Sequence, residues 1–469
     1  MSAQPTRTEE LVPRPQVSDP EPWAFPASTT TKLDNGLTVV AYDVPGQYVV
    51  SVRLAVPAPL AAEPREVEGV AGIMSRTMDE GTKRHTGEEL AELLERKGIA
   101  LGAGMAETGL LVDVDVAQRH LGAALELLAE CLSEPVFPEV EVSRHVRTRL
   151  AEIDHERAIG SARAAMEFIK TYFESGARAS RPAGGTRETV AAIRRADVAA
   201  YHAAHVRPDG ATLVVAGDLA DLDLAAELER SMGSWQGPAT DVAADVSPAA
   251  PVADDGPAAD RRAADAHRIV FVDRPGSVQT ELYVGTHGPD RRVDGGWAPY
   301  PVLGFVLGGS PGARIDAVLR EEKGYTYGIR AGFRPRHRGG LFAASGSVRA
   351  DVTAEALGLL LDQLDGARAG FTQDETKAGV DYIGKTAPGR YATADAIADE
   401  AVMLALDGLT TEFTTANLTD LLTVDPARLD DAYRRFVTGE WTVVLVGDAG
   451  LHAESVRALG RGEVTVVPA

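Results

Sequence analysis

The sequence has a single cysteine, Cys131, among 469 residues. One cysteine excludes a disulfide framework, a CxxC redox pair and a zinc site built from several cysteines. The chain also lacks an apolar run of the roughly 18 residues that a membrane-spanning helix needs. Basic residues are scarce, with 47 Lys and Arg against 69 Asp and Glu, so the formal net charge is −22. This balance argues against nucleic acid or an anionic membrane as a partner, because both are bound by basic surfaces.

The first 28 residues are rich in proline and contain no apolar stretch like that of a signal peptide. We expect residues 1–28 to form a flexible tail, because this composition cannot bury enough apolar surface to fold. With neither a signal peptide nor a membrane span expected, the sequence predicts a cytoplasmic protein.

Three short stretches recur later in the chain in the same order, which indicates an internal duplication. The pairs are Thr212–Asp218 with Thr442–Asp448 at an offset of 230, Asp115–Leu128 with Asp351–Leu364 at 236, and Leu93–Gly102 with Leu319–Gly328 at 226. We therefore predict two homologous domains, 29–236 and 265–469. The Ala-, Pro- and Asp-rich stretch between them, 237–264, is predicted to be a linker.

Each copy mixes strand and helix patterns. Val112, Val114 and Val116 alternate with aspartates, which predicts a half-buried strand, and leucines at helical spacing follow. Asn35-Gly36 between apolar residues is typical of a hairpin turn. Because strands and helices do not alternate strictly, we predict an α+β fold in which each domain packs an antiparallel or mixed sheet with helices.

The duplication, the LDNGLTVV stretch at Leu33–Val40 and the LREEKGYTY stretch at Leu319–Tyr327 together resemble one family. It is the pitrilysin, insulinase and mitochondrial processing peptidase family of zinc peptidases, and the resemblance extends from about Thr31 to Val446. Catalytic members carry an inverted zinc motif, H-x-x-E-H. The resemblance implies a bowl-like chain that forms one half of a clamshell dimer.

The stretch Gly69–Thr82 aligns with the family's zinc-binding segment without a gap, but the reactive residues are replaced. Gly72 stands at the first His, Ser75 at the general-base Glu and Arg76 at the second His. The resemblance places the third ligand at Glu152, which alone is retained.

These replacements oppose zinc chemistry. Catalytic zinc needs about three protein ligands, whereas Gly72 offers no donor and Arg76 is permanently charged. Ser75 cannot replace a carboxylate base. We predict that Arg76 forms an ion pair with Glu152 in place of the metal. The alternative is that Glu152 lies on an ordinary polar helix face and pairs with Arg149.

In the second copy, the L-R-E-x-x-G-x-x-Y segment retains the family's Arg and Tyr as Arg320 and Tyr327. The aligned positions of the first copy are Leu94 and Leu101, which suggests selection for more than packing. The resemblance implies that this pair donates hydrogen bonds to a substrate carbonyl in the partner's site, as an oxyanion clamp. The alternative is a local contact between the two.

The stretch 307–314, LGGSPGAR, resembles the family's Gly-rich loop over the substrate entrance, with Gly308, Gly309 and Gly312. A plain turn before a helix is the alternative.

Lost zinc ligands and a retained clamp together suggest a non-catalytic, substrate-binding subunit of a heterodimeric zinc peptidase. Its partner would be an H-x-x-E-H paralogue that holds the zinc, and this chain would hold neither metal nor other cofactor. Peptides or unfolded segments would be the substrates, and the −22 charge would favour basic ones if part of it lines the chamber. The alternatives are a structural scaffold and a homodimeric peptide-binding module.

Overall fold

The computed structural model describes residues 17–236 and 262–469. Most of the predicted linker, and residues 1–16 of the predicted tail, lie outside the described residues. The end of that predicted tail is packed rather than loose. Trp23 stacks on Tyr391 with ring centroids 5.5 Å apart, and Phe25 is buried against Tyr42. Aromatic side chains at its end therefore fix the segment to the body of the protein.

The first unit contains strands that form one sheet and helices that cover it. Its elements are β1 Thr29–Lys32, β2 Thr38–Asp43, β3 Val49–Val56, α1 Val70–Ser75, α2 Gly87–Lys97, β4 Ala100–Met105, β5 Leu110–Ala117, α3 Leu121–Ser133, α4 Glu139–Ala158, α5 Gly160–Tyr172, α6 Arg187–Ala192, α7 Arg195–His205, β6 Thr212–Gly217 and α8 Leu224–Ser231.

The second unit follows a similar order, with five α-helices between β10 and β11 as there are between β5 and β6, and ends with an additional strand. Its elements are β7 Ile269–Asp273, β8 Gln279–Gly288, α9 Pro299–Gly304, a π-helical turn Phe305–Gly309, α10 Arg314–Asp316, a π-helical turn Ala317–Glu322, β9 Arg330–Pro335, β10 Gly340–Arg349, α11 Thr353–Gly366, α12 Gln373–Arg390, α13 Ala394–Leu406, α14 Glu412–Leu421, α15 Pro426–Phe436, β11 Thr442–Gly447, α16 Ala449–Arg457 and β12 Val464–Pro468.

The two six-stranded sheets share one topology, which confirms the predicted α+β fold and the duplication. The strand orders are β1-β2-β6-β3-β5-β4 and β12-β7-β11-β8-β10-β9. In each sheet one central pair is parallel, β2 with β6 and β7 with β11, and the strands beyond are antiparallel. The sheets differ at one edge: β1 precedes its neighbour and runs antiparallel to it, whereas β12 follows α16 and runs parallel to β7.

The strand register corrects two of the equivalences expected from the sequence. Val214 and Val444 are equivalent positions in the matching central strands β6 and β11. When the paired residues are followed from strand to strand towards the sheet edge, Val214 leads to Gly102 on β4 and Val444 leads to Arg330 on β9. Leu101 is therefore equivalent to Ile329, and both are apolar core residues. Tyr327 is not the counterpart of Leu101, because the second unit has extra residues between the preceding helix and its strand.

The second correction concerns the helix after the β5 and β10 strands. Both helices follow a short 3-10 turn, and they begin at Leu121 and Thr353, an offset of 232 instead of 236. The sequence match was wrong by four residues, about one helical turn. Such a shift superposes the same apolar stripe on itself, so leucine spacing alone cannot distinguish the two alignments.

Each sheet is covered on its second face by a helix from the other unit. Phe168 and Tyr172 of α5 pack on the second sheet beside Tyr283 and Val444. Conversely, α13 packs on the first sheet, where its apolar residues contact Val214 and its neighbours. Because both faces are buried, the central strands β6 and β11 are apolar at nearly every position, as their TLVVAG and TVVLVG sequences show.

An ion pair at the interface also joins the two units. Arg53 on β3 is largely buried and donates through Nε to Asp399 of α13 at 2.6 Å. The same guanidinium contacts Asp115 on the neighbouring strand at 3.1 Å. Two carboxylates from different units thus satisfy one cation inside the interface.

Close packing of α5 on the second sheet depends on Gly285. A Cβ there would lie 2.5 Å from Cζ of Phe168 and 3.0 Å from the carbonyl oxygen of Phe342. We expect Gly285→Ala to lower the free energy of unfolding by about 1–3 kcal/mol, because overpacking displaces the aromatic ring. Urea denaturation measures the loss. Gly104→Ala on the exposed edge strand β4 is the matched control, since a Cβ there meets no atom within 4 Å. Equal effects of the two substitutions would contradict the role of this contact.

The segment 299–322 has the length and composition of a membrane-spanning helix. It is interrupted by a turn between Gly309 and Arg314, and half of it is buried. Leu303, Leu307 and Leu319 are completely buried in the second core, and this packing accounts for the apolar composition.

Candidate functional site

The helix α1 presents the residues that replace the zinc motif. Gly69 precedes it with a φ of 101°, and a Cβ there would lie 2.8 Å from the Gly184 carbonyl oxygen. The buried Glu63 carboxylate accepts hydrogen bonds from the Gly69 and Ala71 amides at 2.9 and 3.0 Å. A carboxylate at this position satisfies the free amides of the helix N-terminus and fixes the start of α1.

Gly72 and Arg76 are four residues apart and lie on the same face of this short helix. Arg76 Nη1 donates to Glu152 Oε1 of α4 at 2.8 Å, which confirms the predicted contact across 76 residues of sequence. The Ser75 hydroxyl is buried and donates to the Gly72 carbonyl oxygen at 3.0 Å. A hydroxyl held in this way does not replace the carboxylate that serves as the general base in catalytic members.

The alternative pair is present as well. Arg149 Nη1 donates to Glu152 Oε2 at 3.1 Å, and the same guanidinium binds Glu156 through two bonds of 2.5 and 3.0 Å. Its Nε donates to the Gly184 carbonyl oxygen at 3.1 Å. Glu152 therefore bridges two arginines, so the contact between α1 and α4 and the ordinary pair within α4 coexist.

A cleft of about 240 Å³ lies over these side chains. We call it the α1 cleft, and it is lined by Gly69, Gly72, Ile73, Arg76, Arg149, Glu156 and Gly184. A Cβ added to Gly72 would meet no atom within 4 Å. The space into which a side chain at this position would project is therefore open.

Zinc does not fit this donor set. Two arginines place positive charge where a dication would lie, and Glu152 and Glu156 are already engaged by those guanidiniums. In residues 17–236 and 262–469, no group of three or more His, Cys, Asp or Glu side chains is arranged to hold a metal ion. The cleft can carry hydrogen-bonding but not Lewis-acid chemistry from its own residues.

The hydrogen bond from Arg76, and more weakly that from Arg149, lowers the pKa of Glu152 below its ordinary 4.5. A lowered pKa stabilises the fold above the unfolded-state pKa, and this contribution is lost as pH falls through the folded-state pKa. We expect Arg76→Gln to raise the pKa of Glu152 more than Arg149→Gln does. NMR titration of the carboxyl group measures both shifts. A larger shift in Arg149→Gln would show that the helix pair dominates.

Tyr327 lies in an anchored loop between the π-helical turn and β9. Thr326 Oγ1 donates to the Ser347 carbonyl oxygen at 2.7 Å, and the Ile329 amide donates to the buried carboxylate of Asp316 at 2.9 Å. Between these fixed points the Tyr327 side chain is 94% exposed. The loop thus holds its backbone firmly while presenting a phenol to solvent.

Arg320 lies one helical turn before this loop. Its side chain is 40% exposed, and its Nε forms an ion pair with the neighbouring Glu321 at 3.4 Å. Within the described part of the chain, no hydrogen bond joins Arg320 to Tyr327, so the local pairing considered as an alternative is absent.

A chain of contacts connects this loop to α4. The helix junction at Gly160 lies against Glu281, since a Cβ there would be 2.8 Å from Glu281 Cγ. Glu281 accepts hydrogen bonds at 3.0 Å from the Ser347 hydroxyl, and the Ser347 carbonyl accepts the bond from Thr326. The loop that carries Tyr327 is therefore connected through β8 and β10 to the start of α5, directly after the helix that carries Glu152.

Half of the predicted Gly-rich loop, residues 307–314, is helical. Gly308 and Gly309 lie in the π-helical turn 305–309, and only residues 310–313 form a turn. A Cβ on Gly308 would lie 2.5 Å from the Ala331 amide nitrogen, so this glycine allows close helix–strand packing. Gly312 has open space around it. The plain-turn alternative describes this segment better than a lid.

Sequence reasoning missed the charged residues behind α1. Glu63 binds Arg178 at 2.9 Å, and Glu68 binds Arg181 at 2.8 Å, with both carboxylates almost fully buried. The acidic run just before Gly69 was a usable signal, because carboxylates are favoured at helix N-termini. Their arginine partners lie more than 100 residues away, and no spacing rule connects them.

The sequence of the chain matches two family models. A profile described as "Insulinase (Peptidase family M16)" matches residues 38–178, and one described as "Peptidase M16 inactive domain" matches residues 192–381. Together they span more than two thirds of the chain. The chain belongs to the peptidase M16 family.

Several proteins similar to this chain are named as proteases or as a peptidase subunit. A protein of Rickettsia bellii named "uncharacterized zinc protease" is 23% identical over 68% of this chain and 73% of its own length. A Mycobacterium tuberculosis protein named in the same way is 25% identical over 77% and 80%. The alpha subunit of the Neurospora crassa mitochondrial-processing peptidase is 24% identical over 26% of this chain and 21% of its own length.

Solved structures confirm the M16 fold. A Pseudomonas fluorescens protein described as a peptidase M16 inactive domain gives a TM-score of 0.76 at 21% identity, covering 90% of this chain and 98% of that one. A protease from Helicobacter pylori gives 0.77 at 14% identity, covering 90% and 100%. The chain thus has the M16 architecture with an α1 cleft that does not suit zinc.

Proposed function

We propose that this chain is the non-catalytic subunit of a heterodimeric M16 peptidase. Its partner is a paralogue that carries H-x-x-E-H and zinc, and the two bowl-like chains enclose peptides or unfolded segments. The proposal rests on two observations taken together. The zinc donors are lost and replaced by the Arg76–Glu152 ion pair, whereas Arg320 and Tyr327 are kept and presented to solvent.

The anchored loop gives this proposal its chemistry. A donor stabilises a developing oxyanion best when it is held in place before the reaction. Tyr327 meets this requirement, because two backbone-directed hydrogen bonds fix its loop and no described residue occupies its phenol. Arg320 would supply a charged donor beside it, since its one ion pair leaves most of its N–H groups free.

The relatives are consistent with such a division of labour. Proteins similar to this chain are named zinc proteases, and one is named as a subunit of a processing peptidase. The residues of the α1 cleft separate this chain from zinc-dependent hydrolysis. A subunit that binds substrate for a catalytic partner reconciles both facts.

Mixing tests the proposal. The chain is purified alone and together with an H-x-x-E-H paralogue from the same source, and cleavage of unstructured peptides is measured. We expect zinc in the partner only, and activity only in the mixture, abolished by chelation. Chelator-sensitive activity in the isolated chain would refute the proposal. A stable complex without any dependence of cleavage on this chain would favour a structural scaffold instead.

A further inference from the structure

A second, larger cleft adjoins the α1 cleft. It has a volume of about 500 Å³ and lies between the end of α4, the helix α5 and the segment 175–186. Arg157 on its wall directly follows Glu156 of the α1 cleft, and Pro182 and Thr186 flank Gly184. The two clefts are therefore lined by neighbouring residues of the same two segments, the end of α4 and residues 182–186.

The second cleft is basic, in a protein whose net charge is −22. We call it the basic cleft. Its basic lining residues are Arg157, Arg163, Lys170 and Arg181, and its negative groups are the Glu167 side chain and the terminal carboxylate of Ala469. When Glu68, the buried partner of Arg181, is also counted, four cations face three carboxylates, so an excess of positive charge remains.

The cations are ordered on rigid elements. Glu167 is almost fully buried and accepts bonds from Arg163 at 2.7 Å and from Lys170 at 3.3 Å. Each of these contacts uses only part of the donor capacity, because a guanidinium carries five N–H groups and an ammonium three. Arg157 is exposed, and no described residue forms an ion pair with it. Free donors thus remain at fixed positions along the cleft.

We propose that the basic cleft binds the side-chain carboxylates of an acidic segment in a peptide that occupies the α1 cleft. Arginine forms planar, two-point hydrogen bonds with carboxylates, and several such groups in a cleft attract acidic ligands over a distance. This inference deepens the proposed function and rests on it, because the peptide in the α1 cleft is the substrate proposed there. It also sets a preference opposite to the one expected from the net charge.

Peptide binding to the isolated full chain tests the inference. Fluorescence anisotropy compares a labelled, unstructured Gly/Ser peptide carrying four Glu residues with the same peptide carrying four Gln residues. We expect the Glu peptide to bind on the order of tenfold more tightly, with an affinity that falls as salt rises. Arg157→Gln with Lys170→Gln should remove about tenfold of this affinity and leave binding of the Gln peptide unchanged.

A matched charge-removal variant controls for the loss of two cations. Arg96→Gln with Lys97→Gln removes the same charge from α2, which does not line the cleft, and should leave both affinities unchanged. Equal affinity of wild type for the two peptides would overturn the inference, as would an equal loss in the α2 variant. The binding experiment uses the isolated chain, so its result does not depend on whether a heterodimer forms. Likewise, the mixing experiment does not depend on whether the basic cleft binds acidic peptides.

Discussion

Replacement of Tyr327 by Phe, or of Arg320 by Ala, is expected to lower kcat of the mixed enzyme by about 10²–10³-fold, the usual effect of losing one oxyanion donor. The phenol hydroxyl is the only group that the Tyr327 substitution removes. Its loop is held by Thr326 and Asp316, so the backbone should not move. Peptide cleavage at saturating substrate measures the effect, and analytical ultracentrifugation checks that the complex still forms.

Two exposed residues away from this loop serve as controls. Tyr48→Phe changes a phenol in the loop before β3, and Arg96→Ala removes an arginine from α2. Both should leave kcat unchanged. If Tyr327→Phe and Arg320→Ala are equally silent while the complex persists, the clamp does not exist and the scaffold role gains support. A rise in KM at constant kcat would instead assign the pair to substrate binding alone.

Restoration of two histidines is expected to give the chain a zinc site. In Gly72→His/Arg76→His, the two imidazoles lie four residues apart on α1. Glu152 Oε1 is freed from Arg76, while Oε2 keeps its bond to Arg149. The space above Gly72 is open, so the first imidazole can be accommodated. Three ligands suffice for zinc, and we expect about one metal ion per chain, where wild type binds none.

Metal content after dialysis against zinc, together with the absorption spectrum of the cobalt form, measures this gain. Addition of Glu152→Gln to the double variant should abolish binding, because the third ligand is lost. Peptidase activity should stay absent, since Ser75 provides no base. Zinc binding that survives Glu152→Gln, or a folded double variant without metal, would contradict the assignment of this cleft as a degenerate zinc site.

Local patterns in the sequence predicted much of this structure. The duplicated strands, the Arg76–Glu152 contact and the apolar TLVVAG run all follow from repeat spacing, residue chemistry or burial. The predictions that failed concern which residues of the two repeats are equivalent, and this depends on the register of the strands. Leu101 was matched to Tyr327 because the intervening Lys-Gly pair is shared, whereas the strand pairing assigns it to Ile329. An insertion within a loop leaves no periodic signal.

Long-range electrostatics were also beyond the sequence. Arg149 was expected to bind Glu152, three residues later in α4. It also binds Glu156, seven residues later, at a shorter distance, and the usual helix spacing rules do not predict this second pair. The basic cleft depends on Arg157, Lys170 and Arg181 meeting across α4, α5 and a loop. The charge pattern of each segment alone indicates only a solvated face.

The reciprocal placement of α5 and α13 makes the two homologous units inseparable during folding. Residues 17–236 alone would expose the outer face of the first sheet, and residues 262–469 alone would expose Tyr283 and Val444 of the second. Each repeat therefore covers a face of the other's sheet, and we expect neither repeat to be stable alone. The chain should unfold in one cooperative transition, and a break between the repeats should yield fragments that fold only together.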